Sequence, residues 1–203
     1  MRAPHRDRRG PALAALCLAL ILIAAPAAAQ EAVVRVLPDG TAYEASIAVT
    51  GSEHRFWMPG MLGERVPLQV EELEVLGPAG PVEYREEGRG VITFPEGNYT
   101  ITYRAPVRDN HLVVAFDTPY AVTVDLPEGF DVRNPLIGMV SPGAEISTGP
   151  NGTTEIAWER IAVVEARFYT PERVILLTTF GTVWLAVALV LILPILISRR
   201  RDG

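Results

Sequence analysis

The sequence predicts an all-β protein: an immunoglobulin-like antiparallel β-sandwich ectodomain, preceded by an N-terminal signal peptide and followed by one C-terminal transmembrane helix. Three observations predict it. Residues 174–197 form an uncharged apolar run, and residues 1–29 begin with arginines and close on small residues after an apolar stretch. Between them, residues 30–173 alternate apolar with polar side chains and are broken at short intervals by Gly- and Asn-containing turns. Of the 203 residues 49% are hydrophobic and the mean hydropathy is +0.21, too apolar for a disordered chain, and most of the excess sits in the two terminal blocks.

Residues 1–29 carry Arg2, Arg6, Arg8 and Arg9, then an apolar run over 12–25, then Pro26 and Ala27-Ala28-Ala29 before Gln30. That order is the one a cleaved secretory signal has, with the cut placed after Ala29. The apolar stretch is short for a hydrocarbon core of about 30 Å, which argues against an uncleaved anchor. Cys17, the one cysteine, is removed with it, so residues 30–173 hold no disulfide, thiolate nucleophile or Cys-based metal site.

Strands follow in order. Runs at residues 33–37, 43–50, 66–76, 82–85 and 91–94 come first, and runs at 99–105, 112–116, 122–126, 154–159 and 164–168 complete the set. Period-two alternation is clearest where Tyr43, Ala45, Ile47 and Val49 interleave with Glu44, Ser46 and Thr50, and where Ile156 and Trp158 interleave with Glu155 and Glu159. Turns are expected at Pro38-Asp39-Gly40, Glu87-Gly88-Arg89-Gly90, Glu96-Gly97-Asn98, Pro127-Glu128-Gly129 and Asn151-Gly152, where Gly, Asn or Asp accommodates positive φ. Nine or ten such strands in 144 residues suit one sandwich whose sheets are held by apolar inner faces alone.

Residues 174–197 span roughly 36 Å as a helix at about 1.5 Å per residue, enough to cross a bilayer with some tilt. Arg199-Arg200-Arg201 follow and leave residues 198–203 as a basic tail, which the positive-inside rule keeps in the cytoplasm with the domain outside the cell membrane. Residues 170–173 reach at most roughly 14 Å, so the domain sits on the membrane surface.

Residues 30–173 hold 11 arginines against 22 carboxylates, a net charge of −11. That charge repels phosphate backbones and excludes nucleic acid as a partner. All 18 basic residues of the chain are arginine. A GC-rich genome accounts for the arginines, and a high-salt habitat would account for the acidity as well.

The runs Tyr99-Thr100-Ile101-Thr102-Tyr103, Asp109-Asn110-His111, Phe116-Asp117 and Asn134-Pro135-Leu136-Ile137-Gly138 occur in order. With Trp158-Glu159-Arg160 and Phe168-Tyr169 they make the chain resemble an uncharacterised family of archaeal envelope proteins, a domain of unknown function with one C-terminal membrane helix. The resemblance implies a surface-exposed, membrane-anchored module and carries over no functional residue.

Chemistry is sparse. His54, in Ser52-Glu53-His54, and His111, in Asp109-Asn110-His111, could join a carboxylate and a serine only on composition, and Ser141 is followed by Pro142, which removes the N–H that lines an oxyanion hole. No spacing suits zinc, and Asp109, Asp117, Asp125, Glu128 and Asp131 lack the order of a calcium loop. No catalytic, metal or cofactor residue is therefore assigned, and no cofactor is expected.

Three other features stand out. Phe56, Trp57, Met58, Met61 and Leu62 crowd around Pro59-Gly60 without alternating, as a plug for one end of the sandwich or as an exposed loop that meets a partner or the bilayer. Asn98 and Asn151 each begin an N-glycosylation sequon. Thr178, Gly181, Thr182 and Ala186 put small groups on one face of the helix, where another helix can approach. The sequence reading is thus a non-enzymatic interaction or accessory subunit. Its partners are the lipid bilayer and another membrane or envelope protein; loop-based carbohydrate or calcium binding is the alternative, and an enzyme with an unrecognised site comes third.

Overall fold

The computed structural model describes residues 30–149 and 152–201. The expected signal peptide, residues 1–29, and Asn151 lie outside the described residues.

Strands dominate, in chain order β1 (Glu31–Val36), β2 (Ala42–Arg55), β3 (Trp57–Pro59), β4 (Arg65–Pro67), β5 (Glu71–Gly77) and β6 (Gly80–Pro81). They continue with β7 (Arg85–Gly88), β8 (Val91–Pro106), β9 (His111–Leu126), β10 (Met139–Val140), β11 (Glu145–Thr148) and β12 (Thr154–Arg167), and α1 (Pro171–Arg201) closes the chain. One sheet runs in the order β10-β12-β9-β1-β2-β8-β5-β6, with β11 on β12 and β7 on β8, and β3 and β4 pair separately. Every pair in it is antiparallel except β1 and β9, which run parallel from Glu31↔Ala121 to Arg35↔Asp125. That pair departs from the antiparallel expectation. It forms because β1 slots between β2 and β9, and the chain between β1 and β9 is long enough to return in the same direction.

Four strands are far longer than the sequence runs suggested. Residues 91–94 and 99–105 belong to β8, 112–116 and 122–126 to β9, and 154–159 and 164–167 to β12. The halves meet at bends. Between Gly51 and Glu53 of β2 the partner strand runs from Gly97 to Thr93, so β8 bulges there and turns the corner without leaving the ladder. Gly51 takes φ 144° at that point. Across the bend the buried positions change phase: Val49 and earlier odd residues face inward in β2, then Phe56; in β8, Ile92 and Phe94 give way to Ile101, Tyr103 and Ala105. β9 and β12 bend together where the register shifts between Trp158 and Val163. Asp117, Thr118 and Pro119 are exposed in the same stretch.

The sheet therefore folds over on itself, and its buried face closes around one core. Phe56, beyond the bend, packs edge-on against Tyr103 before it, with ring centroids 4.9 Å apart. Tyr43 meets Tyr103 at 6.1 Å in the same orientation. Ile47, Ile101, Val34, Val124 and Ile156 lie in successive strands with at most 1% exposure, each full burial contributing roughly 1.5–3 kcal/mol.

The end of β12 is fixed before α1 begins. Tyr169 and Asp131 exchange backbone hydrogen bonds of 3.0 Å in both directions, and Asn134 N–H donates to the Tyr169 hydroxyl at 2.9 Å. Only Thr170 separates Tyr169 from Pro171, the first helical residue. Proline suits that first position because its missing N–H would be unpaired there, and Glu172 complements the positive end of the helix. α1 thus starts three residues before the uncharged run and continues through Arg201. Over Pro171–Leu193 it is long and apolar enough to cross a membrane, and none of its 18-residue apolar window is buried. Thr178 Oγ1 donates to Val174 O at 2.8 Å and Thr182 Oγ1 donates to Thr178 O, so both hydroxyls are satisfied within the helix. A Cβ at Gly181 would meet nothing within 4 Å, leaving the face shared with Thr178 and Thr182 unoccupied. Ala186 lies on the same helix and is likewise exposed.

Asn98 is in β8 rather than in a turn, paired with Thr50. The Glu96-Gly97-Asn98 turn signal marks the bulged corner instead. Thr50 Oγ1 donates to Asn98 Oδ1 at 2.8 Å, and the exposed amide keeps its nitrogen, the atom a glycan would join, free of that bond.

Candidate functional site

The segment from Phe56 to Leu68 is built as an anchored hairpin. Phe56 is the anchor: it is 3% exposed, its N–H donates to Gly90 O at 2.7 Å, and its carbonyl accepts from Leu68 N at 3.1 Å. Gly90 is required there. It adopts φ 73°, and a Cβ would stand 2.4 Å from the Phe56 carbonyl oxygen.

Beyond Phe56, Trp57, Met58 and Pro59 pair with Pro67, Val66 and Arg65. Strand alternation puts Trp57, Arg65 and Pro67 on one face and Met58 and Val66 on the other. The tip is closed by Gly60 N–H to Glu64 O at 2.7 Å and by Leu62 N–H to the Glu64 carboxylate at 2.9 Å. Both lock the backbone and leave the two tip side chains in solvent: Met61 is 101% exposed and Leu62 95%.

The five apolar residues therefore divide. Phe56 is buried in the core, Met61 and Leu62 are exposed at the tip, and Trp57 and Met58 are half-buried between them. On the first face the Arg65 guanidinium lies 4.5 Å from the Trp57 ring centroid and pairs with Asp117 of β9 at 2.7 Å. Both partners of that ion pair are about half exposed, so it orients the hairpin more than it stabilises it, by under about 1 kcal/mol. Arg65 thus covers one face of the Trp57 ring. On the second face a cleft of about 540 Å³ opens between Met58 and Val66 and the β8–β9 turn, with Arg108, His111 and Arg167 among its lining.

The two histidines lie in different strands. His54 in β2 packs edge-on against Phe56 at 4.8 Å, and burial pulls its pKa down to about 4 against a small opposing effect of Asp117. His111 is in β9, its Nε2 buried without a hydrogen-bond partner and 3.9 Å from Glu165 Oε2. The candidate calcium carboxylates are scattered: Asp117 pairs with Arg65, Asp125 with Arg35 at 3.4 Å, and Asp131 with Arg133 at 3.2 Å. Among the described residues no group of three or more His, Cys, Asp or Glu could hold a metal ion. Ser141 Oγ accepts from Glu165 N–H at 2.8 Å, a bond that ties the loop after β10 to β12.

Fold and hairpin together define a class: a bent, folded-over β domain joined through a single residue to one apolar helix, and presenting an anchored hairpin with an apolar tip. The chain belongs to the family of unknown function DUF5803, whose model matches residues 28–196 and so takes in both the β domain and most of the helix. No curated protein matches the chain.

Proposed function

We propose that this protein is a non-enzymatic accessory or interaction subunit of the cell envelope. An immunoglobulin-like sandwich is displayed outside the cell by a single-pass helix and contacts another membrane or envelope protein through the Met61–Leu62 tip. Residues 1–29 act as a cleaved export signal, and the three arginines after the apolar run keep the C-terminus in the cytoplasm. The observation that carries the reading is the tip itself. Two large apolar side chains are held in water by a backbone that hydrogen-bonds around them, while Phe56, five residues earlier, is fully anchored. Exposed apolar groups on a rigid support are what a protein contact needs, because little ordering entropy remains to be lost on binding. The short tether keeps that contact close to the membrane.

A photo-crosslinking residue at position 61, in native membranes, tests the proposal by mass spectrometry of the adducts. The expected result is a discrete heteromeric adduct that disappears in a Met61→Ser/Leu62→Ser chain of equal abundance and equal thermal stability. Adducts to lipid alone, or none, would overturn the partner contact.

A further inference from the structure

The cleft on the Met58–Val66 face carries two arginines against one carboxylate in an otherwise acidic domain. Of the 11 arginines in residues 30–173, Arg35, Arg65, Arg104 and Arg133 are engaged by carboxylates. Arg108 and Arg167 both line this cleft, and neither enters an ion pair or a side-chain hydrogen bond among the described residues. His111 sits between them with its orphaned Nε2, facing Glu165 at 3.9 Å. Asp109, in the left-handed β8–β9 turn at φ 53°, is the one carboxylate in the lining. The hairpin segment adds Met58, Val66 and Leu68 to the lining and the β8–β9 region adds Val113, so the cleft combines cationic with apolar groups.

Its place in the fold is equally specific. The β8–β9 turn is bonded to the end of β12 by Phe168 N–H donating to Asn110 O at 3.0 Å, and α1 begins at Pro171. From Arg167 to Val174, the first residue of the uncharged run, the chain covers at most about 16 Å, taking extended residues to 170 and helix thereafter. The headgroup layer adds roughly 5–8 Å beyond the hydrocarbon on each side. Arg167 thus stands within about 16 Å of the hydrocarbon boundary, with a long side chain that extends towards the headgroup layer, and Arg108 shares its cleft.

We propose that this cleft seats the phosphoryl headgroup of an anionic lipid from the membrane that α1 crosses. Arg108 and Arg167 fork onto the phosphate oxygens, and Met58, Val66 and Leu68 cover the glycerol and the top of the acyl chains. Guanidinium groups suit this because their planar donors match phosphate oxygens two at a time. In a domain of net charge −11 the seat also gives the acidic surface a local anchor against an anionic leaflet that would otherwise repel it. The inference rests on α1 spanning a bilayer and is independent of what the hairpin tip contacts.

The test uses the full chain in lipid nanodiscs of phosphatidylcholine with increasing phosphatidylglycerol, counting retained lipids by native mass spectrometry after release. The wild type is expected to retain one phosphatidylglycerol with at least about tenfold preference. Arg108→Gln/Arg167→Gln loses that preference, while Arg160→Gln, at an exposed and unpaired arginine elsewhere on β12, and Met61→Ser/Leu62→Ser keep it. Circular dichroism checks that each variant is folded. Equal retention by the double variant, or equal loss in Arg160→Gln, overturns the seat. Displacement of the lipid by millimolar inorganic phosphate overturns the lipid source and makes the site one for soluble phosphate. A chain that fails to enter nanodiscs removes the spanning helix and the seat with it, whereas one that enters without preference removes the seat alone.

Discussion

Acidification from pH 7 to pH 5 is a perturbation whose cost is set in large part by His54. Its imidazole lies in β2 beside Phe56 and across from Ile92, and burial lowers its pKa to about 4. In the unfolded chain the ordinary value of about 6.5 returns. Between those two values the unfolded state binds a proton that the folded state refuses, so stability rises with pH. The contribution of neutral His54 is complete above about pH 6.5 and is lost as pH falls towards 4. At pH 5 the unfolded imidazole is almost fully protonated and the folded one about a tenth protonated. The loss relative to pH 7 is therefore about 2 kcal/mol, and the full shift corresponds to about 3 kcal/mol. Urea unfolding of the full chain in detergent, followed by near-ultraviolet circular dichroism at pH 7 and pH 5, measures it. His54→Asn lowers stability at both pH values by losing the ring contact with Phe56, but it removes the His54 share of the difference between them. If wild type and His54→Asn lose the same stability on acidification, to within about 0.5 kcal/mol, the buried neutral imidazole is not what the domain depends on.

The hairpin yields two further expectations. Phe56→Ala empties a site bounded by Tyr103 and His54 and should cost about 3–5 kcal/mol in chemical denaturation, whereas Trp57→Ser, at a half-buried position, should cost clearly less. Equal losses would mean that the plug is shared between the two residues. Gly90→Ala places a Cβ against the Phe56 carbonyl and strains a left-handed residue; a loss of about 2 kcal/mol or more is expected, with hydrogen exchange accelerating at Phe56 N–H. Unchanged protection at that amide would show that the turn relaxes around the added methyl.

Much of the strand content was legible because alternation is a local signal: Tyr43 to Val49, Ile101 to Ala105 and Val122 to Leu126 all bury the residues their period marked. The bends were not. At Gly51 and Gly97 the alternation loses phase, and a phase break in one strand reads the same whether the chain turns back or continues around a corner. Only the partner strand decides between them, which is why Glu96-Gly97-Asn98 reads as a turn and folds as a bulge. The candidate site was half legible: the cluster from Phe56 to Leu62 was conspicuous, but its division into core and surface depends on Gly90, Leu68 and Glu64, which no spacing connects to it.

By itself, then, the sequence determined a β-rich domain with a large acidic excess and a 24-residue uncharged run ending in arginines. These properties follow from composition and from periods of a few residues, which the chain carries wherever it folds. Tertiary structure alone decided that β1 lies parallel to β9, that Phe56 goes inward while Met61 and Leu62 stay out, and that Arg108 and Arg167 share one cleft. Each of those depends on residues far apart in the chain. The burial that favours such contacts is gained only when the whole sheet folds over and closes its face.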